Sequence, residues 1–317
     1  MSELDPKSDL QADQKPQKHQ CKIDIDDLYA LKKQAYHWLK IPHPKKLHMQ
    51  SGQYISKHKG AGLDFNESRP YNEGDDIRHI DWRITARSGK AYTKIYHEER
   101  ERPISILCDQ SSTMFFGSQK QFKSVLSAKL SMMITWISIQ NGDKIAFSGW
   151  GHNKSFTLPL QRKSFAGSVI AKNLCEISPT ELSTQTNLNS FNDSIKTFSR
   201  SHGHHLFIIS DFYHLNDECL QTLNHLAKHH QLVLIHVYDD IEKNAPTSGT
   251  LPFLHNGKTN WFNSKNKTQI QKWQQPFVDR EELLKQFCNK HKISYLPANC
   301  KQSELEILES IQHWWTL

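Results

Sequence analysis

The chain has 317 residues, 37% of them hydrophobic and 10% aromatic, which is enough for one large buried core plus an accessory module. A formal net charge of +7 permits an acidic partner such as nucleic acid or an anionic membrane, but the excess is spread along the chain rather than gathered in one place. The six cysteines (Cys21, Cys108, Cys175, Cys219, Cys288, Cys300) are scattered with no CxxC pair, which excludes a dense disulfide framework and suits reduced thiols.

Residues 1–20 mix Lys, Asp, Gln and Pro with almost no apolar side chains, so a disordered tail without a signal-peptide core is expected there. The longest nearly apolar stretch, Val125 to Ile139, is interrupted by Lys129 and several hydroxyl residues. It falls short of the roughly 18 to 20 apolar residues of a membrane span. A cytoplasmic chain with no transmembrane segment is the expectation.

Within residues 21–45, Leu28, Leu31, Ala35 and Leu39 recur at helical spacing and predict a helix that stops before Pro42 and Pro44. Residues 46–101 change character: Gly52, Gly60, Gly62, Gly74 and Gly89 punctuate short alternating runs such as Ala91 to Tyr96, which predicts a small β-rich module. From 102 to 317 strands and helices alternate. The run Ile104 to Cys108 stops at Asp109; Phe122, Leu126, Leu130, Met133 and Ile137 mark a long helix; Lys144 to Phe147 returns as a strand. Ser155 to Leu158 reads as an edge strand, Ala166 to Cys175 and Leu188 to Ser199 as helices, and His205 to Ile209 as a second buried strand ending at Asp211. Leu220 to Lys228 is helical, Leu232 to Val237 a third buried strand, and helices over Glu281 to Cys288 and Leu305 to Trp315 flank a short strand at Ile293 to Leu296. The alternation predicts an α/β fold with a three-layer, doubly wound, mostly parallel sheet. Asp240 to Gln274, poor in apolar periodicity, reads as an extended surface connection.

Two of the buried strands end in Asp109 and Asp211, and the carboxyl ends of strands form the functional edge of such a sheet. Ser111 and Thr113 follow Asp109 at alternate positions, where a loop can turn both hydroxyls to one point, and Thr186 stands just ahead of a helix. An all-oxygen set with few charges and positions left for water suits Mg²⁺, or another divalent cation such as Mn²⁺ or Ca²⁺. The plainer alternative is a pair of loop aspartates capping the helices behind them.

The pattern D-x-S-x-T, a later Thr ahead of a Leu-containing helix, and an Asp after an apolar strand resembles the metal-ion-dependent adhesion site of von Willebrand factor A domains. The usual motif ends in Ser, where this chain has Thr113. The segment Gly60 to Phe65, Arg69-Pro70-Tyr71, Gly74 to Trp82 and Ala86-Arg87 is similar, nearly word for word, to the signature of the bacterial domain of unknown function 58 family. That resemblance runs from about Gly52 to about Asp240 and implies a von Willebrand factor A-like domain behind the signature block. It further implies that Ser111 and Thr113 ligate the ion directly, Thr186 in some states, and Asp109 and Asp211 mainly through waters. The implied partner is an AAA+ ATPase of the MoxR type, in a chaperone-like system that matures or assembles other proteins. Family members often begin with membrane helices, a placement not carried over here.

Between Glu67 and Arg102 eight basic residues face eight acidic ones, so the Arg-rich block is neutral. An internal network pinning the module, with Arg78, Asp81 and Arg87 engaged in it, is expected ahead of a phosphate-binding surface, which needs an uncompensated basic face. Asp75, Arg78, Asp81, Trp82 and Arg87 are also candidates for a partner contact. His202, His204, His205, His229 and His230 lack carboxylate or thiol companions at metal-ligand spacing, and Cys108 reads as a buried structural thiol. Trp314 and Trp315 read as packing of the last helix.

Three functions follow as expectations. The first is a non-catalytic module that binds a partner's Asp or Glu through the ion. The second is a Mg²⁺-dependent phosphatase of the haloacid dehalogenase kind with Asp109 as nucleophile; there Ser111 stands where the acid is needed, and Asp239 and Asp240 imitate the later acidic pair. The third, a nucleic-acid binder, rests on the bulk basic balance alone.

Overall fold

The computed structural model describes residues 21–40, 64–97, 103–151, 154–162, 165–178, 190–247, 249–255 and 258–311. The expected tail over 1–20 and the pair Trp314 and Trp315 lie outside them. The chain divides into a larger unit, residues 1–44 and 103–317, and a smaller one, residues 45–102.

In chain order the elements begin with α1 (Ile25–Lys40), β1 (Asp64–Pro70), a 3₁₀ turn (Ile77–His79), α2 (Trp82–Ser88) and β2 (Tyr92–His97). Next come β3 (Ile104–Gln110), a second 3₁₀ turn (Ser112–Met114), α3 (Lys123–Gln140), β4 (Ile145–Gly151), β5 (Ser155–Gln161), α4 (Ala166–Ile177) and α5 (Phe191–Lys196). The remainder is β6 (His205–Ser210), α6 (Asp217–Ala227), β7 (Gln231–Tyr238), α7 (Asp240–Lys243), β8 (Thr250–His255), β9 (Lys258–Asn263), α8 (Lys267–His291), β10 (Ser294–Asn299) and α9 (Glu304–Glu309).

The main sheet runs β10-β7-β6-β3-β4-β5; every pairing is parallel except β5, which closes the edge antiparallel to β4. Side chains alternate across a strand, so each central strand feeds two cores. Ile106, Cys108, Phe207, Ile209, Val233 and Ile235 meet α1, α3, α4 and α9 on one face. Leu107, Leu206, Ile208, Leu232 and Leu234 meet α5, α6 and α8 on the other. Both faces being covered, these strands read as near-continuous apolar runs, each full burial of a Leu or Ile contributing about 1.5–3 kcal/mol. The fold is therefore α/β, three-layered and doubly wound. Helix α1 belongs to the larger unit: Leu28, Leu31, Ala35 and Trp38 are buried, and Trp136 of α3 donates its Nε1 to the Leu28 carbonyl at 3.0 Å.

Chain order fixes where the edge opens. From β3 the chain runs outward through β4 and β5, then returns to the other side of β3 with β6, β7 and β10. The winding reverses between β3 and β6, and at that point the loops leaving the carboxyl ends diverge and leave a crevice.

One expectation is corrected. Residues 240–274 are not an extended connection: they form α7, the β8–β9 hairpin and the first turns of α8. Helix α8 is capped by Asn266, whose side chain accepts from the Thr268 and Gln269 amides, and it buries only Phe277, Leu284 and Cys288. A helix with so narrow an apolar stripe carries little periodicity. The smaller unit, expected to be β-rich, also contains a helix. Between its paired strands β1 and β2 lies α2, capped by Asp81 at its start and by Gly89 in the left-handed region, φ 68°, at its end.

In that unit Asp81 is buried, accepting from the amides of Arg83 (3.1 Å) and Ile84 (3.2 Å) and from the Ser68 hydroxyl (3.0 Å). Arg69 pairs with Asp75 at 2.7 Å. Arg78 and Arg87, expected in the same network, are exposed, with Arg78 Nε 3.9 Å from Asp76. Among the three residues expected to engage, the buried cap alone is firmly held, because only it has amides to satisfy.

Candidate metal centre

Asp109, at the end of β3, and Asp211, one residue past β6, stand on adjacent strands on either side of the crevice, and both are buried. Asp109 Oδ1 accepts from the Ser111 amide at 2.8 Å, which turns the chain sharply after the strand, and Oδ2 accepts from the Ser210 hydroxyl of β6 at 2.6 Å. The turn continues as the 3₁₀ segment Ser112–Met114 and brings Ser111 Oγ within 3.0 Å of Thr113 Oγ1. Asp211 makes the matching turn: its Oδ1 accepts from the Tyr213 amide at 3.0 Å while Phe212 takes φ 53°. A bulky residue in the left-handed region is strained, and the Phe212 ring is held there by packing on Phe191 and His236.

Gln110 and Gly117 shape the loop that follows. Gln110 Nε2 donates to the Ser124 carbonyl (2.9 Å) and the Ser127 hydroxyl (2.7 Å), fastening β3 to the start of α3. A Cβ on Gly117 would lie 2.5 Å from the Gln121 carbonyl oxygen, so only glycine lets the loop close so tightly. Ser118 donates its amide to Asp239, the cap of α7, at 2.8 Å and its hydroxyl to the same carboxylate, tying the loops after β3 and β7 together.

The electrostatics of the two aspartates differ. Burial, then the neighbouring Asp211 charge, push the Asp109 carboxyl up to about 7. Burial acts on Asp211 in the same direction, but the Lys123 ammonium 2.8 Å from its Oδ2 outweighs it and holds Asp211 below the usual carboxylate range. Lys123 is 2% exposed and also lies 2.8 Å from Glu242 Oε1, so despite burial it keeps its charge more firmly than a free lysine.

Ser111 Oγ and Thr113 Oγ1 share a hydrogen bond of 3.0 Å, a separation that two ligands at about 2.1 Å and right angles around Mg²⁺ would also have. Burial and the Asp211 charge disfavour the Asp109 carboxylate, against hydrogen bonds from Ser210 and Ser111 that favour it. Of the five expected site residues, Asp109, Ser111, Thr113 and Asp211 come to one edge; Thr186 lies outside the described residues. Lys123, Glu242 and Ser210 were missed by the motif reading. The signal for Lys123 was a stripe of Lys123, Ser127, Ser131 and Thr135, polar residues four apart on a helix buried all round.

The chain is 29% identical over 94 residues to uncharacterized protein Rv1480 of Mycobacterium tuberculosis and to uncharacterized protein Mb1516 of Mycobacterium bovis, a stretch covering 30% of this chain and 30% of each relative's length. Among solved structures it is similar to conserved hypothetical protein BatB from Bacteroides thetaiotaomicron, with TM-score 0.41 and 15% identity over 67% of this chain and 98% of that one. An aerotolerance-related membrane protein from Bacteroides fragilis matches with TM-score 0.41 and 15% identity over 67% of this chain and 97% of that one. A von Willebrand factor type A protein from Catenulispora acidiphila matches with TM-score 0.35 and 8% identity over 70% of this chain and 43% of that one. No helix among the described residues is long and apolar enough to cross a membrane. The family model described as protein of unknown function DUF58 matches residues 67–280, more than half of the chain, and the chain belongs to that family.

Proposed function

We propose that the chain is a non-catalytic protein-interaction module whose docking point is the edge formed by Asp109, Ser111, Thr113 and Asp211, with Thr186 as a further ligand. A divalent ion held there supplies an electrophilic position to which a partner's Asp or Glu can bind. The observation that carries this reading is the hydroxyl pair of Ser111 and Thr113, 3.0 Å apart beside the buried carboxyl of Asp109 at the sheet's reversal point. Asp109 orients Ser111 through its amide and Ser210 through its hydroxyl, so its substitution disturbs both flanks of the site. Few formal charges among the ligands leave the ion most of its attraction for a carboxylate. Following the family resemblance, the partner is a MoxR-type AAA+ ATPase and the pair acts in chaperone-like assembly.

The phosphatase reading is disfavoured by the same geometry. Both oxygens of Asp109 already accept hydrogen bonds, the position two residues on is Ser111, and of the later acids Asp239 caps α7 while Asp240 pairs with Lys301 at 2.7 Å. No free carboxylic acid is placed among these residues to protonate a leaving group. Association of the full chain with the partner ATPase, measured by interferometry, is expected in Mg²⁺ and lost both in chelator and for Asp109→Ala. Binding that survives chelator and substitution, or phosphate release that depends on Asp109, overturns the reading.

A further inference from the structure

Lys123 opens α3 at the centre of this edge, and a lysine 2% exposed is strongly unfavourable unless its charge is met. It is met twice, by Asp211 from the loop after β6 and by Glu242 from the turn after β7, each at 2.8 Å. Glu242 is itself fixed, its Oε2 accepting from the Asp239 amide at 2.9 Å, and the Phe116 ring lies 5.7 Å from the ammonium. Arg280 of α8, over the Tyr213 ring at 5.7 Å, adds a second positive charge within range of Asp211. Among the described residues no cation faces Asp109, whose oxygens accept from the Ser111 amide and the Ser210 hydroxyl. The two carboxylates of the edge are thus unequal: one is neutralised by the chain, the other is left for an outside cation.

We propose that Lys123 is a tethered cation that sets how tightly the edge holds a divalent ion, taking up the charge of Asp211 so that the ion is retained chiefly through Asp109, Ser111 and Thr113. This rests on the metal-dependent reading above. The ammonium cannot diffuse away, so it opposes a dication at every salt concentration and keeps the site weak and exchangeable. It also keeps the acidic edge assembled when no ion is bound. Bound ion and partner carboxylate then stabilise each other, because the ion lacks a second full carboxylate from the chain.

The test uses the full chain and Mn²⁺, with free ion followed by electron paramagnetic resonance and heats by calorimetry. Lys123→Met, which keeps the apolar stem and removes the charge, is expected to bind Mn²⁺ about tenfold more tightly than the unaltered protein. Glu242→Gln leaves Asp211 as the sole anion beside the ammonium and is expected to bind about threefold more weakly. A gain below about threefold for Lys123→Met, with the unaltered protein binding normally, overturns the Lys123 assignment and leaves the metal reading standing. Binding by Lys123→Met alone supports the assignment and overturns metal-dependent docking by the native chain, whereas binding by neither overturns both. Should Lys123→Met fail to melt cooperatively, an unchanged affinity of Glu242→Gln overturns the assignment.

Discussion

The two ends of strands β3, β6 and β7 bury polar groups in opposite ways. At the carboxyl ends Asp109, Asp211, Lys123 and Glu242 are ionisable groups in an ion-pair lattice with one carboxylate left over. At the amino ends the buried groups are imidazoles. Ser105 Oγ and His204 Nδ1 share a hydrogen bond of 2.6 Å and His204 donates its amide to His230 Nδ1 at 3.2 Å, while the exposed rings of His202 and His229 stand 4.9 Å apart above them. Burial lowers the pKa of His204 and takes that of His230 to about 4, so these two imidazoles stay neutral. The charged edge leaves Asp109 without a facing cation among the described residues, whereas the neutral edge leaves only an uncharged atom, His230 Nε2, without a hydrogen-bond partner. An excess of unmet charge, rather than polarity as such, separates a binding edge from a closing one.

The sharpest break of that contrast is Lys123→Ala. Removing the ammonium leaves Asp211 and Glu242 facing each other without the cation between them, and a loss of roughly 3–5 kcal/mol is expected in chelator, read by denaturant unfolding. A loss under about 1 kcal/mol would mean that the ion pairs do not hold the edge. Asp109→Asn comes next and separates the two aspartates. Because burial and Asp211 already disfavour its charge, the amide should cost no more than about 1 kcal/mol in chelator while abolishing Mn²⁺ binding. A penalty as large as that of Lys123→Ala would show that Asp109 is as structurally committed as Asp211.

Strand runs such as Ile104 to Cys108 and His205 to Ile209 were legible because burial on both faces leaves them nearly continuous in apolar residues, Ser105 being the one polar residue inside the first, and the aspartates after them located the edge. The spacing of Ser111 and Thr113 was legible because the turn is made locally, by the Asp109 carboxylate on the Ser111 amide. Lys123 and Glu242 were not, since their partners lie 88 and 119 residues apart in sequence and nothing local marks the pairing. Helix α8 was invisible from Lys267 to Arg280 because its outer face is polar and Pro276 lies inside it. The short helix α2 was hidden among turn residues; only the Asp81 cap and Gly89 delimit it.

The smallest expected effect tests the neutral edge through pH. His204 and His230 have folded pKa values below the ordinary 6.5, His230 at about 4. Between those values the unfolded chain takes up protons that the folded chain refuses, so their contribution is fully present above about pH 6.5 and declines as pH falls toward 4. Asp109 works in the opposite sense, its raised carboxyl favouring the folded state as acid protonates it, so a bare melting curve mixes the two edges. The comparison is therefore made against His230→Asn, which keeps an acceptor for the His204 amide, does not titrate, and leaves Asp109 unchanged. In chelator, the drop in melting temperature from pH 7 to pH 5 should be smaller for His230→Asn than for the unaltered protein by a few degrees. Equal drops would mean that His230 is not held neutral by its neighbours, and the two edges would then differ less than their geometry implies.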